Sequence, residues 1–296
     1  MKVESGLSLL SRLVSRPNID SVLGPEMRPV TSCWTSVLTL GDHQDTLTVQ
    51  SNYILDLVTR TLLPRCHGEV VIGGLEAGLV MVDCCHQFDV ETLTSLLQTR
   101  IRHIAETHFT TMRDAGVTRE LRDKQRLTST DQWNIVKNSL SRLFIINVYT
   151  PDNFEISLIS LSNLIMENTA VSAIIIFGVN SFYHQVSSDE SISYNSYIRR
   201  LRQLRQLTLE SVSDNKDQLR VLAVEMNIFG DSEPKHSQDC VIIKNTDTNI
   251  SVCYKDSSAA FTLERGGGVR WINKDCALIL YPLKFLGPQS SKRITV

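Results

Sequence analysis

Nowhere in this chain is a glycine followed by lysine, so the usual ending of a phosphate-binding loop is missing. Long apolar runs are missing too: none approaches the roughly 18 to 20 residues that a membrane-spanning helix needs. Glu4, Arg12 and Arg16 interrupt the first turns, so neither a signal peptide nor a membrane anchor is expected. Neither sign of charge dominates. A formal net charge of -2 and a pI near 6.4 exert no global pull on a polyanion, and composition alone does not predict DNA binding. The seven cysteines, Cys33, Cys66, Cys84, Cys85, Cys240, Cys253 and Cys276, are odd in number and lack a compact spacing. That excludes a secreted disulfide framework and fits reduced thiols in the nucleus or cytosol.

What is present is ordinary globular usage. Apolar residues are 42% and charged residues 21% of 296 positions, enough to bury a sizeable core within one α/β domain with extensions. Residues 1–30 read as an N-terminal helix and linker: Leu7, Leu10 and Val14 fall at helical spacing before Pro17, and Pro25 and Pro29 follow. Residues 31–296 read as the core. Ser32 to Leu40 reads as a strand, Gly41 to Gln50 as a polar turn, and Asn52 to Leu63 as a helix with Ile54, Leu57, Val58 and Leu62 on one side.

The run from Leu79 to Cys85 has the continuous apolar character of a strand buried on both faces. Asp89 can cap the following helix, whose stripe is Val90, Leu93, Leu97, Ile101 and Ile104. Residues 107–128 are densely charged and read as a solvated connection. Leu143 to Tyr149 is a second buried strand. Asp152 with Glu155 makes a capping-box pattern for a helix carrying Phe154, Leu158, Leu161 and Ile165. Val171 to Val179, a helix over Tyr194 to Val212 and a strand over Leu219 to Asn227 continue the alternation. A mainly parallel central sheet with helices on both faces is therefore expected. Beyond it, Val241 to Lys244, Ser251 to Tyr254, Phe261 to Leu263 and Ala277 to Tyr281 are closely spaced strands, read as an antiparallel C-terminal extension of that sheet.

In such a sheet the chemistry sits at the carboxyl ends of the strands. After the first strand a phosphate cradle would need closely spaced glycines, then lysine and a hydroxyl residue. The chain offers GDHQDTLTVQS from Gly41 to Ser51, with Asp42 and Asp45 facing where a polyanion would lie. Nucleotide and magnesium binding are not expected from this stretch.

ESGLSLLSRL near the start, GGLEAGLVMVDCCHQFDVETL, LSRLFIINVYTP and AIIIFGVNSFYH together resemble the eukaryotic RecA-like recombinase paralogues, over roughly residues 3–225. The C-terminal fifth is similar only around Trp271. The resemblance implies a RecA-like nucleotide-hydrolase core without the family's usual N-terminal helical domain. It also implies a hetero-oligomeric complex with other recombinase paralogues, the D-type paralogue first, acting in DNA repair by homologous recombination in the nucleus.

Where the family has its phosphate-loop lysine and threonine, this chain has Gln50 and Ser51. Cys85 stands at the place of the catalytic carboxylate, and Phe177 or Gly178 at that of the magnesium-binding aspartate. Losing lysine, carboxylate and metal ligand together argues against an ATPase. The expected function is thus a non-catalytic subunit that contacts DNA only within its complex. The alternative is an ATP-binding or weakly hydrolysing enzyme with a nonstandard phosphate loop, using Ser51, His43 or a lysine from elsewhere in the chain.

Other groups have milder readings. Cys84, Cys85 and His86, with Cys66 and His67, could suggest a metal or a redox thiol, but adjacent strand cysteines face opposite ways and read better as buried thiols. Arg199, Arg200, Arg202 and Arg205 fit the solvated face of a helix. His184 to Ser191 and Gly230 to Asp239, where the recombinases touch DNA, carry more acid than base, which disfavours independent DNA binding. Gly266, Gly267 and Gly268 read as a hairpin turn.

Overall fold

Two apolar runs buried on both faces, GLVMVD and VSAIIIF, set the centre of the molecule. A strand without a polar face must be covered on both sides, and in the computed structural model helices do this. The structure describes residues 16–17, 19, 34–40, 43–116, 118–120, 126–178, 181–182, 219–225, 240–245, 250–254, 257–264 and 268–271. The helices expected over 5–15 and Tyr194 to Val212, the strand expected over Ala277 to Tyr281, the arginine cluster and the two acidic loops lie outside the described residues.

In chain order the elements are β1 (Trp34–Leu40), α1 (His43–Leu62), β2 (Cys66–His67), β3 (Val70–Val71), β4 (Gly78–Asp83), α2 (Val90–Asp114) and α3 (Ser129–Leu140). There follow β5 (Leu143–Asn147), α4 (Pro151–Glu167), β6 (Val171–Phe177), β7 (Arg220–Glu225), β8 (Cys240–Asn245), β9 (Ile250–Tyr254), β10 (Ser257–Glu264) and β11 (Gly268–Trp271). Among the described residues, all strands except the β2–β3 hairpin join one nine-stranded sheet, ordered β11-β10-β9-β8-β1-β7-β6-β4-β5. From β8 to β5 every neighbouring pair is parallel. The antiparallel part starts one strand later than expected, because β8 lies parallel to β1 and the direction reverses only at β9. β10 and β11 pair as a hairpin, Glu264 opposite Gly268.

Alternation along the strands sorts the core into two layers. Leu79, Met81, Ile175 and Leu222 pack with Ile54, Leu57 and Val58 of α1, Leu93, Leu97 and Ile101 of α2, and Ile135 and Val136 of α3. Val80, Val82, Ile174, Ile176 and Val221 pack on the other face with Phe154, Leu161 and Ile165 of α4. Each fully buried aliphatic side chain contributes about 1.5–3 kcal/mol.

Three local expectations are corrected. Residues 43–50, expected as a polar turn, are helical, and Gly41 and Asp42 lie outside the described residues. The solvated connection over 107–128 is partly helix: α2 runs to Asp114 and buries Met112. A further helix, α3, begins behind a capping box in which the Thr128 side chain accepts from the Asp131 N–H and the Asp131 carboxylate accepts from the Thr128 N–H. The cap of α4 is Thr150, whose hydroxyl accepts from the Asn153 N–H at 3.2 Å with Pro151 in the first turn, rather than an Asp152–Glu155 box.

The amino ends of the strands are closed by close backbone approaches. A Cβ on Gly74 would lie 2.0 Å from the Leu63 carbonyl oxygen. Arg142 donates to the Leu62 carbonyl at 3.1 Å and pairs with Glu76 at 2.8 Å. Arg16 lies buried across the end of α4 and the start of β6, donating to the carbonyls of Ile165 at 2.8 Å, Asn168 at 3.1 Å and Val171 at 2.6 Å. Ile19, three residues on, is fully buried in the layer on the opposite face.

Candidate functional site

The faces to which the strand connections leave decide where a sheet of this kind can bind. The chain moves outward from β4 to β5 through α2 and α3 on one face, then back from β5 to β6 through α4 on the other. Adjacent strands whose chains leave to opposite faces part at their carboxyl ends and form a crevice there. For β4 and β5, paired up to Asp83 opposite Asn147, the segments that would flank such a crevice are residues 83–89 and 148–152.

Asp83 organises the β4 wall. Its buried carboxylate accepts the Cys85 N–H at 3.1 Å, the Cys85 thiol at 3.5 Å and the Phe88 N–H at 3.0 Å, which curls residues 84–88 over the strand end. The neighbouring strands are tied to the same place. Cys84 N–H donates to the Phe177 carbonyl at 2.9 Å and Val148 N–H to the Asp83 carbonyl at 2.9 Å. The Ser181 hydroxyl donates to the Cys84 carbonyl at 2.8 Å. His86 sits at φ 55, in the left-handed region. Its ring stacks on Tyr149 with centroids 4.4 Å apart and planes 22° from parallel.

Cys85 and Gly178 are brought together. Gly178 has φ +70, and a Cβ there would lie 2.8 Å from Cys85 Cβ and 2.9 Å from its Sγ. Phe177 is buried within β6, opposite Asp83 in register, with its ring in the α1–α2–α3 layer. Gln50 and Ser51 fall elsewhere than expected. Only Gly41 and Asp42 separate the end of β1 from the start of α1, so both residues lie about two turns inside the helix rather than at its mouth. Gly41 itself lies outside the described residues.

The thiols face an environment unsuited to nucleophilic chemistry. Burial, reinforced by the Asp83 carboxylate, pushes Cys85 up to about 12. Burial followed by the Cys85 thiol and Asp83 pushes Cys84 upward as well. A thiolate, the reactive form, is therefore scarce at neutral pH. The two cysteines lie past the end of β4 rather than within it, one buried and one half-buried. Cys66 and His67 sit on the hairpin that leads into the amino end of β4, away from Cys84 and Cys85. Among the described residues no three His, Cys, Asp or Glu side chains gather as a metal group, and no helix is long and apolar enough to cross a membrane.

The His86–Tyr149 stack and the organising role of Asp83 were not legible beforehand. The continuous apolar run through Asp83 marked the strand end, but a contact between β4 and β5 loops needs the strand order, which local pattern does not carry. No protein-family model matches the chain, and no curated protein matches it.

Proposed function

We propose that this chain is a non-catalytic interaction subunit: a RecA-like core that serves a complex of recombinase paralogues in DNA repair by homologous recombination. The observation that carries the reading is the disposition of the three positions that would perform phosphoryl chemistry in such a core. Gln50 and Ser51 are placed inside α1 behind a two-residue connection, whereas a phosphate cradle needs a loop of backbone N–H groups ahead of the helix. Cys85 fills the space above Gly178, and no carboxylate stands at either position. The reading is supported by the parallel sheet with helices on both faces and by the four sequence stretches that resemble the family.

A fold of this size kept without its chemistry is explained by its surfaces. The immediate partner in this reading is the D-type recombinase paralogue, the complex is nuclear, and DNA is met only within it. Co-expression of the two full chains should yield one complex on size exclusion at micromolar concentration. Separate elution of two folded proteins would refute the reading.

A further inference from the structure

At the carboxyl ends of β4 and β5 one large aromatic side chain is mostly exposed. Tyr149 is 63% exposed although one of its faces is stacked on His86, so the opposite face and the hydroxyl edge are open to solvent. The stack orders the ring before anything binds, which lowers the entropic cost of using it as a contact surface. Val90, at the first position of α2, adds an exposed apolar side chain beside the same turn.

Among the described residues of the two flanking segments, the charged side chains are acidic. Asp89, Glu91 and Asp152 are exposed at the first turns of α2 and α4, the helices that leave the two walls. The Asp89 carboxylate is held low by hydrogen bonds, first from the Thr92 hydroxyl, so it stays ionised at neutral pH. From Cys66 to Thr99, and again from Leu143 to Ile198, the sequence contains no lysine or arginine, so neither wall supplies its own countercharge. A nucleic acid is a poor occupant of such a place, because its phosphates would face three carboxylates.

We infer that the open face of Tyr149 is a docking point for an arginine-bearing basic segment of the partner protein, its guanidinium stacked on the ring and paired with the carboxylates beside it. A planar cation suits both halves of the site: it stacks on an aromatic face and its N–H fork matches a carboxylate. Desolvated contacts of this kind rank among the residues that dominate interfaces. The inference rests on the reading of the chain as an interaction subunit, and it names what that subunit grips.

The test uses the full chain co-expressed with the partner paralogue, with affinity measured by titration of the purified proteins. Tyr149→Ala and the charge reversal Asp152→Lys should each weaken association about tenfold, while Tyr149→Phe, which keeps the π face, stays near wild type. Both positions are on the surface, and unchanged melting temperatures confirm intact folds. About 0.1 M arginine hydrochloride should weaken the complex more than sodium chloride of equal ionic strength. If wild type associates but Tyr149→Ala binds as tightly, or if arginine and sodium act alike, this docking point is refuted and the interaction-subunit reading stands. If wild type does not associate at all, both fall together. Self-association of the chain alone that disappears with Tyr149→Ala would identify a second copy as the occupant and overturn the partner assignment.

Discussion

At Gly178 a single added carbon separates a tolerated site from a strained one. The residue has φ +70, a region that costs an L side chain free energy, and the space its Cβ would need is filled by Cys85 at 2.8 Å. Gly178 N–H also donates to the Val224 carbonyl at 3.0 Å, so the backbone cannot simply rotate away. Gly178→Ala should therefore cost about 2–4 kcal/mol, the sum of a backbone penalty and an overpacking penalty. Cys85→Ala should recover part of that loss by removing Sγ, leaving the backbone term in place. Urea denaturation of the two single variants and the double variant separates the contributions. Additive losses would show that the two positions do not touch. Both residues stood out in the sequence only as positions where the resemblance implies acidic groups. Their mutual contact was not, since it depends on β4 and β6 being neighbours and on a left-handed turn at the end of β6.

Among the elements, legibility followed the strength of the apolar signal. β4 and β6 were apparent because their runs are continuous, and the α2 stripe from Leu93 to Ile101 was apparent because it repeats at helical spacing. The first turns of α1 were missed: HQDTLTVQ is polar enough to pass for a turn, and the apolar period becomes clear only from Ile54 onward. α3 was missed because a charged stretch precedes it, although Thr128 and Asp131 carried a capping signal. Arg16 illustrates a contact with no local signature at all. It lies 152 residues from Asn168, yet its guanidinium binds three main-chain carbonyls around the α4–β6 junction, where the negative end of the helix dipole favours a cation. Desolvation by burial lowers its affinity for the proton, but a guanidinium is a strong enough base to stay charged in proteins. Arg16→Met keeps the aliphatic length but leaves the buried carbonyls without their donor, at a cost of about 2–4 kcal/mol. Thermal unfolding of this variant should begin well below wild type. A melting temperature equal to wild type would show that the anchor contributes nothing.

Over the whole molecule, the sheet has a protected centre and an open side. β4 and β6 are paired on both flanks and covered on both faces, so their amides can exchange with solvent only when the fold opens. β5 closes the sheet order, with β4 as its one neighbour among the described residues. Leu79 N–H donates to the Arg142 carbonyl and Val148 N–H to the Asp83 carbonyl, which sets the phase of this ladder. A parallel ladder repeats every two residues, so Phe144 and Ile146 donate inward while the N–H groups of Ile145 and Asn147 face outward. Hydrogen exchange on the isolated chain should reproduce that alternation: Ile145 and Asn147 exchange orders of magnitude faster than Phe144, Ile146 and the amides of β4. The pattern depends on the register of β5, not on any side chain, so it tests the topology that creates the crevice. Uniform fast exchange along β5 would mean that the strand is not paired, and the β4–β5 wall would lose its basis. Uniform slow exchange would mean that another segment covers the edge. Repeating the measurement with the partner bound then locates the interface: protection gained in the turn around Tyr149, with Ile145 and Asn147 still fast, is what docking at the crevice rather than along the edge strand requires.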